Sequence, residues 1–256
     1  MQAVFKRPQA LKDVPFHFCA GCHHGLIHRL VGEALDEYKL REITLGAASV
    51  GCSVFLYDYF DVDVVESPHG RAAAVAAGLK RARPDAFVFT YQGDGDLAAI
   101  GTSEIIHAAQ RGEKITVIFV NNTVFGMTGG QMAPTTMIGQ KTTTTPYGRA
   151  CADCGHPIRM AELIAGLAGT AFSARVAVDK VANLMKAKKA LRQAFEAQLE
   201  GLGLGFIEFL SSCPTNWKMS VAEANARIQS EMVPYFPLGV FKDVTAEEEP
   251  PAAGPN

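Results

Sequence analysis

The sequence has no apolar run approaching the ~18 residues that a helix needs to cross a bilayer, so no membrane role is expected. It has no basic run, and its net charge is only -2. That removes the electrostatic footprint of a nucleic-acid binder. The opening stretch, MQAVFKRPQALKDVPF, lacks the apolar core and small-residue cleavage site of a secretory leader. A cytoplasmic protein is therefore expected. Disulfides are rare in that compartment, so the six cysteines ask for a metal or redox reading. Internal repeats are absent. What the sequence does have is core: 48% of its 256 residues are hydrophobic, enough for one large domain or two small ones.

The apolar spacing alternates between strand and helix. Residues 1–15 read as a loose arm. Cys19 and Cys22 then open a helix over 23–38, with Leu26, Leu30, Ala34 and Leu35 at helical spacing. Further helices are expected over 71–83 (stopped by Pro84), 97–112, 160–167 and 180–200. Strands are expected over 43–52, 61–70 with its loop, 85–92, 114–122, 171–178 and 205–213. The strand at 85–92 is apolar throughout, as a central parallel strand is. The pattern gives an α/β fold in three layers, a parallel sheet with helices on both faces, over a domain spanning 16–242. The segment 123–147, rich in glycine, threonine and proline, is about 25 residues long, too long for a plain connection, and reads as functional. Residues 243–256 read as a disordered tail.

The chemistry concentrates in TYQGDGD, residues 90–96, at the end of the apolar strand. Glycines there let backbone approach a phosphate, yet Asp94 and Asp96 carry the phosphate's own charge. Three readings compete. Glycine–aspartate pairs mark ordinary surface turns. Gly93, Gly95 and Ala98 formally fit a dinucleotide fingerprint, but the next strand ends in Asn121-Asn122 where that reading wants an acid. The third reading removes the repulsion with a cation. Magnesium prefers oxygen ligands and bridges carboxylate to phosphate. Asp94, Asn122 and the carbonyl of Val124 can supply three oxygens, while the helix beginning at Leu97 lends its amides to the diphosphate. GDG and NN, one strand–helix–strand unit apart, resemble the thiamine-diphosphate motif.

Seven segments in order, CAGC, GCS, HGRA, GDGDLAAIG, NN, GMTGGQMAPTT and SCPTNW, together resemble the beta subunit of the 2-oxoacid:ferredoxin oxidoreductases. The resemblance covers about residues 15 to 240. It implies the thiamine-diphosphate-binding fold, in its diphosphate-binding half. It implies a 4Fe–4S cluster on Cys19, Cys22, Cys52 and Cys213, a set that gives such a cluster its four thiolates. It also implies a cofactor pocket of Val50, Gly51, Cys52, Ser53, His69, Gly93, Gly95, Asp96, Gly126, Met127 and Thr128. His69 and Arg71 are the candidate catalytic residues, with a structural cap for His69 and a surface ion pair for Arg71 as the plainer roles. GQMAPTT would shape the substrate side.

The implied reaction is oxidative decarboxylation of a 2-oxoacid, of pyruvate, 2-oxoglutarate or branched-chain type, to acyl-coenzyme A. Electrons would pass through the cluster to ferredoxin. The glutamate that activates the cofactor's aminopyrimidine belongs to another domain in this family, so the chain is expected to need a larger alpha subunit.

Some residues depart from the pattern. His23, followed by His24, stands where glycine is common; a histidine there could hydrogen-bond a cluster sulfide, and solvent exposure is the expected reading. Val54-Phe55 replaces a glycine and a basic residue, a hint that the substrate need not be small or a diacid. Cys151 and Cys154 form a second CxxC that matches nothing in the family: free thiols, or a small metal site with His156. His107 reads as helix packing, and Trp217 as shield or core. A non-redox thiamine decarboxylase subunit would share GDG and NN but need no cysteines. A zinc-binding adaptor would need neither GDG nor NN.

Overall fold

The computed structural model describes residues 6–244. Helix α1 (His24–Glu37) leads to strand β1 (Thr44–Ala48). A short α2 (Leu56–Tyr59), β2 (Asp63–Glu66), the alanine-rich α3 (Ala72–Ala82) and β3 (Phe87–Gly93) follow. A π-helical segment, Gly95–Ile100, runs into α4 (Thr102–Gln110) and then β4 (Thr116–Asn121). The long loop carries a two-stranded ribbon, β5 (Val124–Phe125) with β6 (Gln131–Met132), and one helical turn, α5 (Cys151–Cys154). After it come α6 (Met160–Ala165), β7 (Thr170–Ala177), α7 (Val181–Leu199) and β8 (Leu204–Leu210). Three short helices, α8 (Pro214–Trp217), α9 (Val221–Arg227) and α10 (Val233–Tyr235), precede β9 (Gly239–Asp243).

The main sheet runs β2-β1-β3-β4-β8-β7-β9. Its pairs are parallel except β7 with β9. Side chains alternate faces along a strand, and here the alternation builds two cores. Phe87, Phe89 and Tyr91 of β3 with Ile118 and Val120 of β4 meet α1 and α7. Val88 of β3 with Val117 and Phe119 of β4 meet α3, α4 and α6. Both faces are covered, which is why the central strands read as unbroken apolar runs. Each buried Phe is worth roughly 1.5–3 kcal/mol over an exposed one. The expected three-layer α/β sheet is present.

Two boundaries differ from expectation. The arm is not loose where it is described. Ala10 and Leu11 are buried, Leu11 bridges Phe60, and the Lys12 amide donates to the Tyr59 carbonyl at 2.9 Å. The expected tail lies outside the described residues from 245 on, while Asp243 belongs to β9 and pairs with Phe172.

Candidate active site

The carboxyl ends of β1, β3, β4 and β8 lie along one edge of the sheet because the four strands are parallel neighbours. Ligands of open parallel sheets bind at that edge. The loops after β1, β3 and β4 enclose a cleft there. It is lined by Val50, Gly51, Cys52 and Ser53, by His69, by Gly93, Asp94, Gly95 and Asp96, and by Asn122, Val124, Gly126, Met127 and Thr128. These are the cofactor and magnesium residues named from the sequence, brought together from four separate segments. Sequence reasoning missed two more, His24 and Phe125. Arg71 does not join them. Its guanidinium pairs with Glu104 and donates to the Ile100 carbonyl at 3.2 Å.

Asp94 is 2% exposed. One carboxylate oxygen accepts from the Gly95 amide at 3.0 Å, and the other from the Thr135 hydroxyl at 2.7 Å. Burial outweighs these bonds and pushes the carboxyl up to about 7. Asn122 turns its side-chain oxygen to the Val124 amide at 3.2 Å, while its carbonyl accepts from the Trp217 indole at 3.1 Å. Trp217 thus braces the asparagine loop. Thr123 between them has φ +63, a left-handed conformation stabilised by the Asn121 side-chain oxygen on its amide at 3.1 Å. Asn121 is itself fixed by Glu208 at 2.7 Å. The two asparagines therefore have separate roles. Asn121 shapes the loop, and Asn122 faces the cleft.

Asp96 plays a different part. It accepts from the Gly70 amide and from the Gln92 side chain, each at 2.7 Å. His69 Nδ1 stands 2.6 Å from the same carboxylate, close but without hydrogen-bond alignment. Asp96 therefore ties the HGRA segment to the strand end. Cβ atoms added at Gly51 or Gly93 would meet nothing within 4 Å, so both backbones face open cleft.

The cysteines gather beside this cleft. A Cβ on Gly126 would lie 3.2 Å from Cys52 Sγ and 3.9 Å from Cys213 Sγ. Burial pushes the Cys22 thiol up to about 12, and the charges of Cys213, Cys52 and Cys19 add to the rise. Cys52 is pushed up to about 11 by the same two causes. Asn216 Nδ2 donates to Cys213 Sγ at 3.2 Å and to the Gly126 carbonyl at 2.7 Å, linking thiol and cleft loop. Among the described residues no three His, Cys, Asp or Glu side chains are close enough to hold a single metal ion. Cys151, Cys154 and His156 are accordingly not such a group.

The paired histidines are not the solvent-facing residues expected. His24 is 2% exposed and its Nδ1 meets the Tyr91 hydroxyl at 2.9 Å. His23 is half-buried against Asn225 at 3.2 Å. His107 is exposed on α4 rather than packed.

Comparison with known proteins adds an independent line. Residues 49–208 match the family described as thiamine pyrophosphate enzyme, C-terminal TPP binding domain. The ketoisovalerate oxidoreductase subunit VorA of Methanothermobacter thermautotrophicus is 47% identical over 247 residues, covering 96% of this chain and 52% of the relative. The 2-oxoglutarate synthase subunit KorB of Archaeoglobus fulgidus is 34% identical over 258 residues, covering 97% of this chain and 92% of the relative. This chain thus spans about half the length of the first relative and nearly all of the second. A solved structure, 2-oxoglutarate:ferredoxin oxidoreductase from Magnetococcus marinus with 2-oxoglutarate, coenzyme A and succinyl-CoA bound, shares the fold. Its TM-score is 0.74 at 24% identity, covering 95% of this chain and 87% of that one.

Proposed function

The chain belongs to the thiamine-diphosphate-binding subunits of the 2-oxoacid:ferredoxin oxidoreductases, and from that premise we propose that it holds the diphosphate through magnesium and passes electrons to a 4Fe–4S cluster. The observation that carries this reading is Asp94. A buried carboxylate with no cation beside it is costly to charge. Asp94, Asn122 and the Val124 carbonyl form an all-oxygen donor set of the kind magnesium takes. The open backbones at Gly51 and Gly93 leave room for the diphosphate.

Cys19, Cys22, Cys52 and Cys213 fit the cluster. A Cβ on Gly126 would touch both Cys52 and Cys213, and burial first, then the charges of Cys19 and other nearby groups, raises the proton affinity of Cys22, Cys52 and Cys213. An iron core removes that repulsion. Asn216 would steady the Cys213 ligand.

When bound, thiamine diphosphate supplies the electron sink for decarboxylation of a 2-oxoacid. The chain's own residues orient and insulate it. Asp94 anchors the charged end, and Asp96 sets His69 at the rim. The half-buried Phe55 packs edge-on against His17 at 4.9 Å. No lysine or arginine is among the described residues lining the cleft. This chain therefore offers no cationic side chain there to a second carboxylate, which favours a branched-chain 2-oxoacid over 2-oxoglutarate, in line with the name of the VorA relative. No glutamate is among those lining residues either, so the group that activates the aminopyrimidine comes from another domain or a partner alpha subunit. The acyl group would leave on coenzyme A and the electrons on ferredoxin.

The test is anaerobic purification, with iron, sulfide and magnesium counted per chain. About four irons and four sulfides support the cluster. Co-expression with the partner, coenzyme A, a viologen dye and a panel of 2-oxoacids then reads the substrate, with the branched-chain acids expected fastest. Protein that stays colourless after reconstitution would move the non-redox decarboxylase ahead.

A further inference from the structure

The second cysteine pair is the one chemical motif that the cofactor site leaves unused. Cys151 and Cys154 stand three residues apart on the single helical turn α5. That spacing sets their Cα atoms about 5 Å apart, inside the range a disulfide spans. Both are half-buried, and both are free thiols. His156 Nδ1 lies 3.5 Å from Cys151 Sγ, placed to take the proton as that thiol becomes a nucleophile.

The turn is wired to the active-site loop by one side chain. Arg149 is 5% exposed. On one side it donates to the carbonyls of Cys154 at 3.0 Å, Gly155 at 3.1 Å and His156 at 3.0 Å. On the other it donates to Ala133 at 3.3 Å, Pro134 at 2.8 Å and Thr136 at 2.7 Å. Between those last carbonyls sits Thr135, whose hydroxyl holds Asp94. The guanidinium is planar with a fixed fork of donors, so it cannot follow one set of carbonyls without straining against the other.

We propose that Cys151 and Cys154 are a redox-active dithiol, and that closing it loosens the Asp94 loop through Arg149. The oxidant is a disulfide, either of a small thiol or of a dithiol protein. The Cys151 thiolate attacks one of its sulfurs, giving a mixed disulfide and one released thiol. Cys154 then attacks Cys151 Sγ, forming the intrachain S–S bond and releasing the second thiol. Two electrons and two protons pass from the pair to the oxidant. The consequence at Asp94 rests on the magnesium reading above, but the dithiol itself does not.

The full chain is equilibrated anaerobically in glutathione buffers from fully reduced to fully oxidised, alkylated and digested with trypsin. Cleavage after Arg149 and Arg159 isolates both cysteines in one peptide, 150–159, free of any other cysteine. In the oxidised buffers this peptide is expected to escape alkylation and lose two hydrogens. Amide exchange over 133–140 is expected to rise at least about threefold on closure. Cys151→Ser should abolish both changes. Arg149→Lys should keep the disulfide but uncouple the exchange. Full alkylation of both cysteines at every ratio would overturn the proposal, as would closure with unchanged exchange over 133–140. Neither readout needs magnesium or thiamine diphosphate, so a failure here is separable from a failure of the cofactor site.

Discussion

At Asp94 a single carboxylate carries opposite demands. Alone, it repels a diphosphate and resists ionisation in its buried site, and with a divalent cation both difficulties vanish. Asp94→Asn keeps the shape and removes the charge. It should weaken joint binding of magnesium and thiamine diphosphate by about 100-fold or more, while Thr135→Val, which only frees one oxygen, should cost about tenfold. Calorimetric titration of the two variants checks the order. His28 gives a second residue-scale prediction. It is fully buried among Phe16, Phe18, Tyr59, Phe60 and Tyr91, with its Nε2 unpartnered. Burial, helped by the charge of His24, pushes it from 6.5 down to about 3. Between those limits the unfolded chain binds the extra proton and the folded chain does not. Stability is therefore full above 6.5 and lost as pH falls towards 3, by about 1.4 kcal/mol per pH unit for this one group. His28→Phe suits the aromatic surroundings and should remove that slope, read by urea unfolding at several pH values. The sequence exposed Asp94 and Asn122 because their oxygen chemistry stands out at strand ends. It hid His24, because a histidine at a helix start looks the same whether it faces water or a tyrosine.

At the scale of elements, apolar runs and helical spacing made the central strands and their covering helices legible. Three things were not. β9 is short and half-exposed and runs antiparallel, so no buried pattern marks it. The small helices after Cys213 owe their placement to a third apolar cluster around Trp217, Ile228 and Phe236, a tertiary effect. The π-helical segment after Gly95 depends on contacts no spacing reveals. A Cβ on Gly95 would collide with the Phe125 ring, and one on Gly101 would sit 2.5 Å from the Gly70 carbonyl. That widened turn aims Asp94 and Asp96 in different directions, as such bulges do at functional sites. Behind it, neighbouring strands share a fully buried ion pair, Arg175 of β7 with Glu208 of β8 at 3.0 Å, and Glu208 in turn fixes Asn121. Arg175→Met would leave Glu208 buried without its partner. It should destabilise the chain by about 3–5 kcal/mol, measured by denaturant unfolding. Diphosphate binding should suffer as well, because the loop that Asn121 shapes is the one that carries Asn122.

Across the whole molecule, one sheet edge gathers Asp94 and Asn122, the open backbones at Gly51 and Gly93, and the thiol of Cys52, drawn from segments far apart in the chain. Asp94, Asn122 and Cys52 line the same cleft from different loops. The ligands should therefore act as cross-braces, and charge dictates that they act jointly. Thiamine diphosphate alone faces Asp94 and Asp96 with like charge and should leave the unfolding temperature unchanged. Magnesium alone gains one carboxylate and neutral oxygens, too few to displace most of its water, and should shift it little. Together, at a hundredfold excess over their joint Kd, they should add about 2.7 kcal/mol to the unfolding free energy. In Asp94→Asn the joint gain should disappear while the unliganded chain stays as stable as before or more so, since a buried charge has been removed. A thermal scan of both proteins under the four conditions separates the cases. Equal stabilisation by thiamine diphosphate with and without magnesium would show that the phosphate is held by backbone and helix alone, and that Asp94 serves the loop rather than the metal.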